Sequence, residues 1–309
     1  MTILKKILPK KIREKLRLIH MFVFKSNDEI KVEIDKTRQW GISINIDDDQ
    51  KDKFINNILL GKISYNQKSS YTNVLLCAQP KSASLYITQL ISSTFNYTNH
   101  QIGFAKKSGD IYYPRMLAVK YIDSNSISHS HSAPTPDVIG LIKTLDLKVI
   151  VLYRNLLDSL VSRLDMLIKD GWAQNFLPSN GIKNFQKLDF ESQLTTIIHL
   201  YADDYLNFYT SWKDVKTNKI LDPLFITYDE LIENEMDMVK KVGNYLGEDF
   251  DEERFNSFRK NINENGGINF NKGIPGRGKK VFNKNHIALL KEKANIFQCF
   301  DEEYCGFKI

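Results

Sequence analysis

Hydrophobic and polar residues along this chain form two alternating patterns. Short segments rich in apolar or β-branched residues predict strands at 74–79, 126–131, 148–153 and 224–228. Apolar residues that recur at helical spacing predict helices at about 84–95, 155–169, 189–212 and 230–246. KVIVLY, at 148–153, is a continuous apolar run typical of strands that are covered on both faces. The alternation predicts an α/β fold, with a mostly parallel sheet flanked by helices.

Local signals mark several helix ends. Thr135 followed by Pro136 is typical of a capped helix start, and Asn155 can cap the helix that follows KVIVLY. Gly247 is the residue type that most often ends a helix in the left-handed conformation. The connections are short, and ligands on such parallel sheets bind at the carboxyl ends of the strands.

The net charge of +6 is concentrated at the amino terminus. Residues 1–26 contain eight lysines and arginines against a single acid, Glu14, so the remainder is close to neutral. Apolar residues also recur there at helical spacing, which predicts a basic amphipathic helix. Such a helix either attaches to an anionic membrane surface or packs on its own domain with a solvated basic face, and the sequence leaves both open.

The composition, with 42% hydrophobic residues, is that of a globular protein. No apolar stretch approaches the roughly 18 residues that span a bilayer, and the charged amino terminus is unlike a secretory signal. Three cysteines without metal-ligand spacing favour a reducing, cytoplasmic location. We predict a basic arm at 1–30, an extension that packs on the domain at 31–72, and the domain itself at 73–309.

The segment CAQPKSASLYITQL, at 77–90, places Lys81 and the hydroxyls of Ser82 and Ser84 between a strand and a helix. Unpaired backbone N–H groups and the helix dipole at such a junction attract anions, so the segment predicts an anion cradle. It is not a Walker A loop, because GxxxxGK[ST] is absent. An ordinary capped helix explains the same segment when it is taken alone.

A second motif, YRNLLDSLVS at 153–162, places Arg154 where a strand ends and Ser162 about two turns into the next helix. A guanidinium gives two parallel hydrogen bonds to a phosphate, and a hydroxyl adds a third. The alternative is an arginine that pairs with Asp158 beside a surface serine.

A third motif, NFNKGIPGRGKK at 269–280, combines three glycines and a proline with four cations, namely Lys272, Arg277, Lys279 and Lys280. Glycines allow the chain to bend closely around a ligand, and the cations attract a polyanion. The segment is therefore either a loop that closes over a polyanion or a solvated basic loop.

In this order, the motifs resemble those of the PAPS-dependent sulfotransferases, which use 3′-phosphoadenosine 5′-phosphosulfate (PAPS). The family's PKSGTTW is similar to residues 80–86, and its R-N-P-x-D-x-x-x-S box is similar to residues 154–162. FITYDELIENE resembles the segment with a family tyrosine, here Tyr228, and HSHSAPTPD precedes the arginine by the family's usual distance for its histidine. The resemblance covers about residues 73–290 and implies the P-loop-nucleotide-hydrolase-like sulfotransferase fold.

The resemblance implies residues that bind the donor, namely Lys81, Ser82, Ala83, Ser84, Leu85, Tyr86, Arg154, Ser162, Tyr228, Lys272, Gly273 and Arg277. Lys81 would stabilise the departing oxygen, and His131 would remove the proton of the acceptor hydroxyl. Arg154 and Ser162 would hold the 3′-phosphate. No metal is implied. His129 and His131 could face the same way and bind zinc, but no third ligand is evident.

Several positions depart from the family pattern. Ala83 replaces a glycine, which is harmless if its φ angle is negative, and Leu85 replaces a threonine, so one donor group is lost. Tyr86 replaces a tryptophan that stacks on adenine, and Asn271 replaces an arginine.

These implications predict a transferase that moves a sulfuryl group to an acceptor hydroxyl by in-line displacement, as in phosphoryl transfer. A glycan or a lipid-linked sugar is the preferred acceptor if the basic arm lies on a membrane, and a nucleic acid is not expected as a partner. A kinase-like nucleotide-dependent transferase shares the strand–loop–helix cradle. A non-catalytic membrane-surface protein on the same fold is compatible with Ala83 and Leu85.

Overall fold

The structure is a computed structural model, and it describes residues 71–99, 124–169, 182, 184–265 and 274–308. The predicted arm at 1–30 and nearly all of the predicted extension at 31–72 lie outside these residues. Among the described residues, no helix combines the length and the apolar character that crossing a membrane requires.

The described strands form one parallel sheet. They are β1 (Asn73–Ala78), β2 (Thr98–Asn99), β3 (Ser126–Ser130), β4 (Lys148–Tyr153) and β5 (Leu224–Thr227), and their spatial order is β2-β3-β1-β4-β5. The four predicted strands are confirmed, with ends that differ by one residue at most. β2 was not predicted, because its two residues are polar and exposed and give no hydrophobic pattern.

Helices cover both faces of the sheet, as predicted. They are α1 (Ser84–Thr94), α2 (Pro136–Leu145), α3 (Leu156–Lys169), α4 (Phe190–Thr217), α5 (Tyr228–Glu233), α6 (Glu235–Leu246), α7 (Glu252–Asn265), α8 (Gly278–Val281), α9 (Lys284–Ile296) and α10 (Glu302–Cys305). A 3₁₀ turn at Phe185–Lys187 precedes α4.

The predicted helix ends are confirmed at three positions. The Val138 amide donates to the Thr135 hydroxyl at 3.3 Å, and the Asp158 amide donates to the Asn155 side chain at 3.3 Å. Gly247 ends α6 with a φ of 81°. These signals are local, so the sequence alone is sufficient to reveal them.

The single helix predicted at 230–246 is wrong, because α5 ends at Glu233 and α6 begins at Glu235. Asn234 lies between them with a non-helical backbone, and its side chain accepts the Asp237 amide at 3.2 Å. A reciprocal capping box between Thr227 and Glu230 starts α5. Asn234 therefore acts as the N-cap of a second helix. The helical spacing of the apolar residues continues across it, so periodicity alone does not reveal the break.

The sheet is buried on both faces because successive residues of a strand point to opposite sides. In β1, Leu76 packs with α1 and α5–α7, whereas Leu75 and Cys77 pack with α2 and the end of α4. Cys77 is fully buried and is part of this core. A third apolar cluster joins α3, α4, α9 and the carboxyl terminus.

The strand order places a crevice between β1 and β4. After β1 the chain continues toward β2 and β3, whereas after β4 it continues toward β5 on the other side. Loops that leave adjacent parallel strands in opposite directions open a ligand-binding crevice at the carboxyl ends. Hydrogen bonding between the two strands continues just beyond β1, where the Gln79 amide donates to the Leu152 carbonyl at 2.8 Å. This bond holds the first two predicted motifs side by side.

Candidate active site

The turn between β1 and α1 has a strained backbone and an open helix start. Lys81 and Ala83 adopt positive φ angles of 74° and 66°, and the Ser82 hydroxyl donates to the Gln79 carbonyl at 2.5 Å. The condition under which Ala83 would be harmless, a negative φ angle, is not met, and a non-glycine residue there costs roughly 1–3 kcal/mol. Among the described residues, no side chain caps α1 at Ala83, so its first amides can bind an anion.

Arg154 brings two of the predicted motifs together. Its guanidinium Nη1 donates to the Lys81 carbonyl at 3.3 Å, and Nη2 lies 3.9 Å from Asp158 Oδ2. The Cζ atom lies 4.0 Å from the centre of the Tyr228 ring, a cation–π contact. The arginine is only 6% exposed, and its Nε is buried without a hydrogen-bond partner among the described residues.

Ser162 is buried on α3, four residues after Asp158. The alternative of a surface serine is therefore wrong, and pairing with Asp158 describes only part of the surroundings of Arg154. A buried arginine and a buried serine on the same segment are compatible with the predicted phosphate site.

Asp158 also binds the third motif to α3 through hydrogen bonds. Its two carboxylate oxygens accept the amides of Gly276 at 2.6 Å and Gly278 at 2.7 Å. Arg277, between them, forms an ion pair of 2.8 Å with Asp165. The described part of the loop thus lies along α3, and Arg277 contacts a carboxylate. Lys272 and Gly273 lie outside the described residues.

The residues that follow Ala83 differ in their exposure. Ser84 is buried, and its carbonyl accepts the Thr88 hydroxyl, whereas Leu85 is 46% exposed. Tyr86 is buried, donates to Glu235 and contacts the Phe258 ring at 5.6 Å between centroids. A cleft of about 780 Å³ lies beside this tyrosine and is bordered by Glu235, Phe255, Asn256, Arg259 and Ile262, among others.

His131 follows β3, and its orientation is fixed by the sheet. Its Nδ1–H donates to the Ala78 carbonyl at 2.6 Å, so the neutral ring keeps an unprotonated Nε2. The pKa of His131 is lowered to about 4, mainly by burial; the hydrogen bond to Ala78 opposes this shift, and the positive charges of Arg163 and Lys81 contribute to it. The His129 ring lies 5.7 Å away, and burial lowers its pKa too. Among the described residues, no group of three potential ligands could hold a metal.

Gln79 was not predicted as a site residue, but its side chain connects β1 with the Arg154 motif and with the carboxyl terminus. Its Nε2 donates to the Arg154 carbonyl at 3.1 Å and to the Ser159 hydroxyl at 2.8 Å. Its Oε1 accepts the Tyr304 hydroxyl at 3.1 Å, although that tyrosine is 225 residues away. A polar side chain at the end of an apolar strand was the available signal, but only the fold reveals its partners.

Asp229 is a second residue that the sequence analysis missed. Burial raises the pKa of its carboxyl, the negative charge of Asp158 raises it further, and the positive charge of Arg154 lowers it. Its Oδ1 is buried without a partner. A proton on this carboxyl reduces the negative charge around Arg154.

Comparison with known proteins supports the family resemblance of the motifs. A family model described as a sulfotransferase domain matches residues 71–265, and a search of curated proteins finds no significant match. The chain is similar to the solved structure of mouse sulfotransferase SULT7A1 complexed with PAP, with 16% identity, coverage of 76% of this chain and 90% of that chain, and a TM-score of 0.52.

Two further solved structures have lower TM-scores. Retinol dehydratase in complex with androsterone and the inactive cofactor PAP has 13% identity, coverage of 75% of this chain and 82% of that chain, and a TM-score of 0.47. Sulfotransferase STF9 from Mycobacterium avium has 12% identity, coverage of 81% and 84%, and a TM-score of 0.42. The family model itself covers more than half of the chain. The chain therefore belongs to the sulfotransferase family, the family of PAPS-dependent enzymes that its motifs resemble.

Proposed function

We propose that this sulfotransferase takes its sulfuryl group from PAPS and transfers it to a hydroxyl of a glycan or a lipid-linked sugar. The observation that carries the proposal is the contact of 3.3 Å between the Arg154 guanidinium and the Lys81 carbonyl. It joins the two motifs that would hold opposite ends of one nucleotide. The solved structures of SULT7A1 and retinol dehydratase contain PAP, which agrees with this donor.

The groups at the crevice suit an anionic nucleotide. Arg154 has a buried Nε without a partner, and a buried donor left unpaired costs about 1–3 kcal/mol. The first amides of α1 have no capping side chain, and they favour negative charge. We assign the 3′-phosphate to Arg154 and Ser162, with Tyr228 supporting the guanidinium, and the phosphosulfate to Lys81 and residues 82–86.

The cleft beside Tyr86 is the place that we assign to the adenine ring. Tyr86 stands where the family has a stacking tryptophan, and its ring borders this cleft of about 780 Å³. Arg259 also borders the cleft and is held by an ion pair of 3.1 Å with Glu235. Lys272, Gly273 and Arg277 stay predictions for the closing loop.

The proposed chemistry uses two groups that flank the end of β1. Lys81 and the first amides of α1 stabilise negative charge on the departing oxygen. His131 accepts the proton of the acceptor hydroxyl at Nε2, because Nδ1 already donates to Ala78. A bound polyanion near Lys81 raises the pKa of His131 above its ligand-free value and makes it a better base. PAPS supplies the sulfuryl group, and no metal is part of the proposal.

The acceptor assignment rests on the basic arm at residues 1–26, with eight cations against one acid. Such a segment is attracted to anionic lipid surfaces, and a lipid-linked sugar would be held at the same surface. We propose a cytoplasmic enzyme that makes peripheral membrane contact through this arm. Deletion of residues 1–26 should abolish sedimentation with anionic vesicles and leave sulfate transfer to a short glycan unchanged.

The first experiment tests whether PAPS is the sulfuryl donor. PAP should raise the unfolding temperature, whereas ATP should not, and radiolabelled PAPS offered with a panel of glycans should yield a labelled product. Lys81→Ala and His131→Ala should abolish the transfer, while the matched controls Lys284→Ala and His199→Ala, at exposed positions, should retain it. Stabilisation by ATP but not by PAP would favour a kinase. Binding of PAP without transfer to any acceptor would favour a non-catalytic protein.

A further inference from the structure

Glu235 is the first residue of α6, and its carboxylate binds side chains of two other helices. Its Oε1 accepts the hydroxyl of Tyr86, on α1, and its Oε2 forms an ion pair of 3.1 Å with Nε of Arg259, on α7. Asn234 caps α6 instead, because its side chain accepts the Asp237 amide. Both oxygens of Glu235 therefore hold side chains that border the cleft beside Tyr86.

The hydrogen bond between Tyr86 and Glu235 is shielded from water. The side chain of Glu235 is 11% exposed, and Tyr86 is 8% exposed. The acceptor is a carboxylate in an ion pair, and such charge-assisted hydrogen bonds are roughly twice as strong as neutral ones. Burial raises the pKa of Tyr86, and the hydrogen bond to Glu235 raises it further, so the hydroxyl stays protonated and donates.

Two contacts define the orientation of the Tyr86 ring. The last side-chain torsion of a tyrosine has a broad energy minimum, so the ring turns easily unless its neighbours prevent it. The ring of Phe258, on α7, lies 5.6 Å away between centroids and is tilted by 59°. Glu235 binds the far end of the Tyr86 ring through its hydroxyl, a group that the tryptophan of the family pattern does not have. The ring is thus held at both its edge and its tip.

We propose that Glu235 is a positioning residue, which holds the Tyr86 ring through its hydroxyl in the orientation that stacks on the adenine of the donor. This inference rests on the proposed function, because it takes the cleft beside Tyr86 as the adenine site. Stacking of a base on an aromatic side chain strengthens binding about 5- to 150-fold, and it requires the two rings to lie face to face. A ring that loses its anchor therefore loses part of this contribution, although Glu235 itself need not contact the base.

The test compares two ligands of the full chain by calorimetric titration. One is PAP, and the other is methyl β-D-ribofuranoside 3,5-bisphosphate, which carries both phosphates without the base. The ratio of the two affinities measures the contribution of adenine, and wild-type protein should prefer PAP about tenfold or more. Glu235→Ala and Tyr86→Phe should each reduce this preference about 3- to 10-fold, part of the stacking contribution, and leave the affinity for the baseless ligand unchanged.

Two further variants separate positioning from general destabilisation. The double variant of Glu235→Ala and Tyr86→Phe should lose no more preference than either single variant, because both substitutions remove the same hydrogen bond. Glu235→Gln should keep most of the preference, since its side-chain oxygen still accepts the Tyr86 hydroxyl. Should Glu235→Ala not fold, Tyr86→Phe carries the same comparison, because it removes the hydroxyl alone.

A second tyrosine–glutamate pair provides the matched control. Tyr97 is buried at the amino-terminal end of β2 and donates to Glu248 at 2.8 Å. Tyr97→Phe and Glu248→Ala should keep the wild-type preference, because this pair lies at the edge of the sheet opposite the carboxyl ends of the strands.

Three results would overturn the inference while PAP still binds. They are an unchanged preference in Glu235→Ala, losses that multiply in the double variant, and an equal loss of affinity for both ligands. Wild-type protein that binds PAP no better than the baseless ligand would remove adenine from this cleft and overturn the inference as well. Wild-type protein that binds neither ligand would overturn the proposed function together with it.

Discussion

Asp158, on α3, accepts the backbone amide of Gly278 at 2.7 Å, across 120 residues of sequence. Its other carboxylate oxygen accepts the Gly276 amide and lies 3.9 Å from Arg154 Nη2. One buried carboxylate thus fixes the glycine-rich loop and borders the proposed phosphate site. Displacement of the loop should therefore change both stability and donor binding.

Gly278→Ala should displace this loop. A Cβ atom built at Gly278 would lie 2.4 Å from Leu157 Cβ and 2.9 Å from the Asp158 amide, so backbone must move. We expect a loss of about 1–3 kcal/mol in the free energy of unfolding, the usual cost of overpacking, and a weaker affinity for PAP. Urea unfolding and calorimetric titration with PAP measure the two effects.

Gly140→Ala is the matched control for this substitution. Nothing lies within 4 Å of a Cβ at Gly140, which is in the interior of α2. Alanine should stabilise the helix by up to about 1 kcal/mol and leave PAP binding unchanged. Equal effects of the two substitutions would contradict the close contact between Gly278 and α3.

Ala83→Gly should relieve the strain in the turn that precedes α1. The φ angle of 66° costs alanine roughly 1–2 kcal/mol, whereas glycine accepts it freely but loses about 0.4–1 kcal/mol through the flexibility of the unfolded chain. We expect a net gain of about 0–1 kcal/mol in the free energy of unfolding. Ala202→Gly, in the buried interior of α4, should instead cost about 1 kcal/mol or more. A similar loss in both variants would show that Ala83 is unstrained.

Arg154→Lys should weaken PAP binding about 10- to 100-fold, although the charge is kept. Lysine cannot donate to the Lys81 carbonyl and lie flat on Tyr228 while it also binds a phosphate in the bidentate manner of a guanidinium. Arg254→Lys, at an exposed ion pair, serves as the control and should bind PAP normally. Unchanged affinity in Arg154→Lys would remove this arginine from the donor site.

The pH dependence of stability should report on His131. Its pKa is about 4 in the folded state and near 6.5 when unfolded, so the unfolded chain binds more protons between these values. The free energy of unfolding should therefore fall as the pH is lowered from 6.5 toward 4. His131→Gln, which can still donate to the Ala78 carbonyl, should show a weaker pH dependence in urea unfolding at pH 7 and pH 5.

Exposed His199→Gln is the control for replacement of a histidine by glutamine, and it should keep the wild-type free energy of unfolding at pH 7. NMR of the labelled histidines should show the His131 signal titrating near pH 4 without ligand and at higher pH with PAP. A titration near 6.5 in the free protein would mean that the ring is solvated.

The motifs and their places on the fold were predictable because each depends on neighbours in sequence. The apolar run of β4 predicts a strand buried on both faces, and Asn155 predicts the start of the helix after it. The parallel sheet follows from the alternation of such runs with helices. The break at Asn234 was missed because a cap within an otherwise periodic segment does not change the period.

The strand–helix alternation, the Lys81 and Arg154 motifs and the resemblance to the sulfotransferases could all be recognised in the amino-acid sequence. The contacts between distant side chains at the site required the folded chain. Gln79 binds Tyr304, and Asp158 binds Gly278, across separations that no local pattern encodes. Helix caps and periodicity are set within a few residues, whereas a buried polar group bonds to whichever partner the packed chain brings within hydrogen-bond distance.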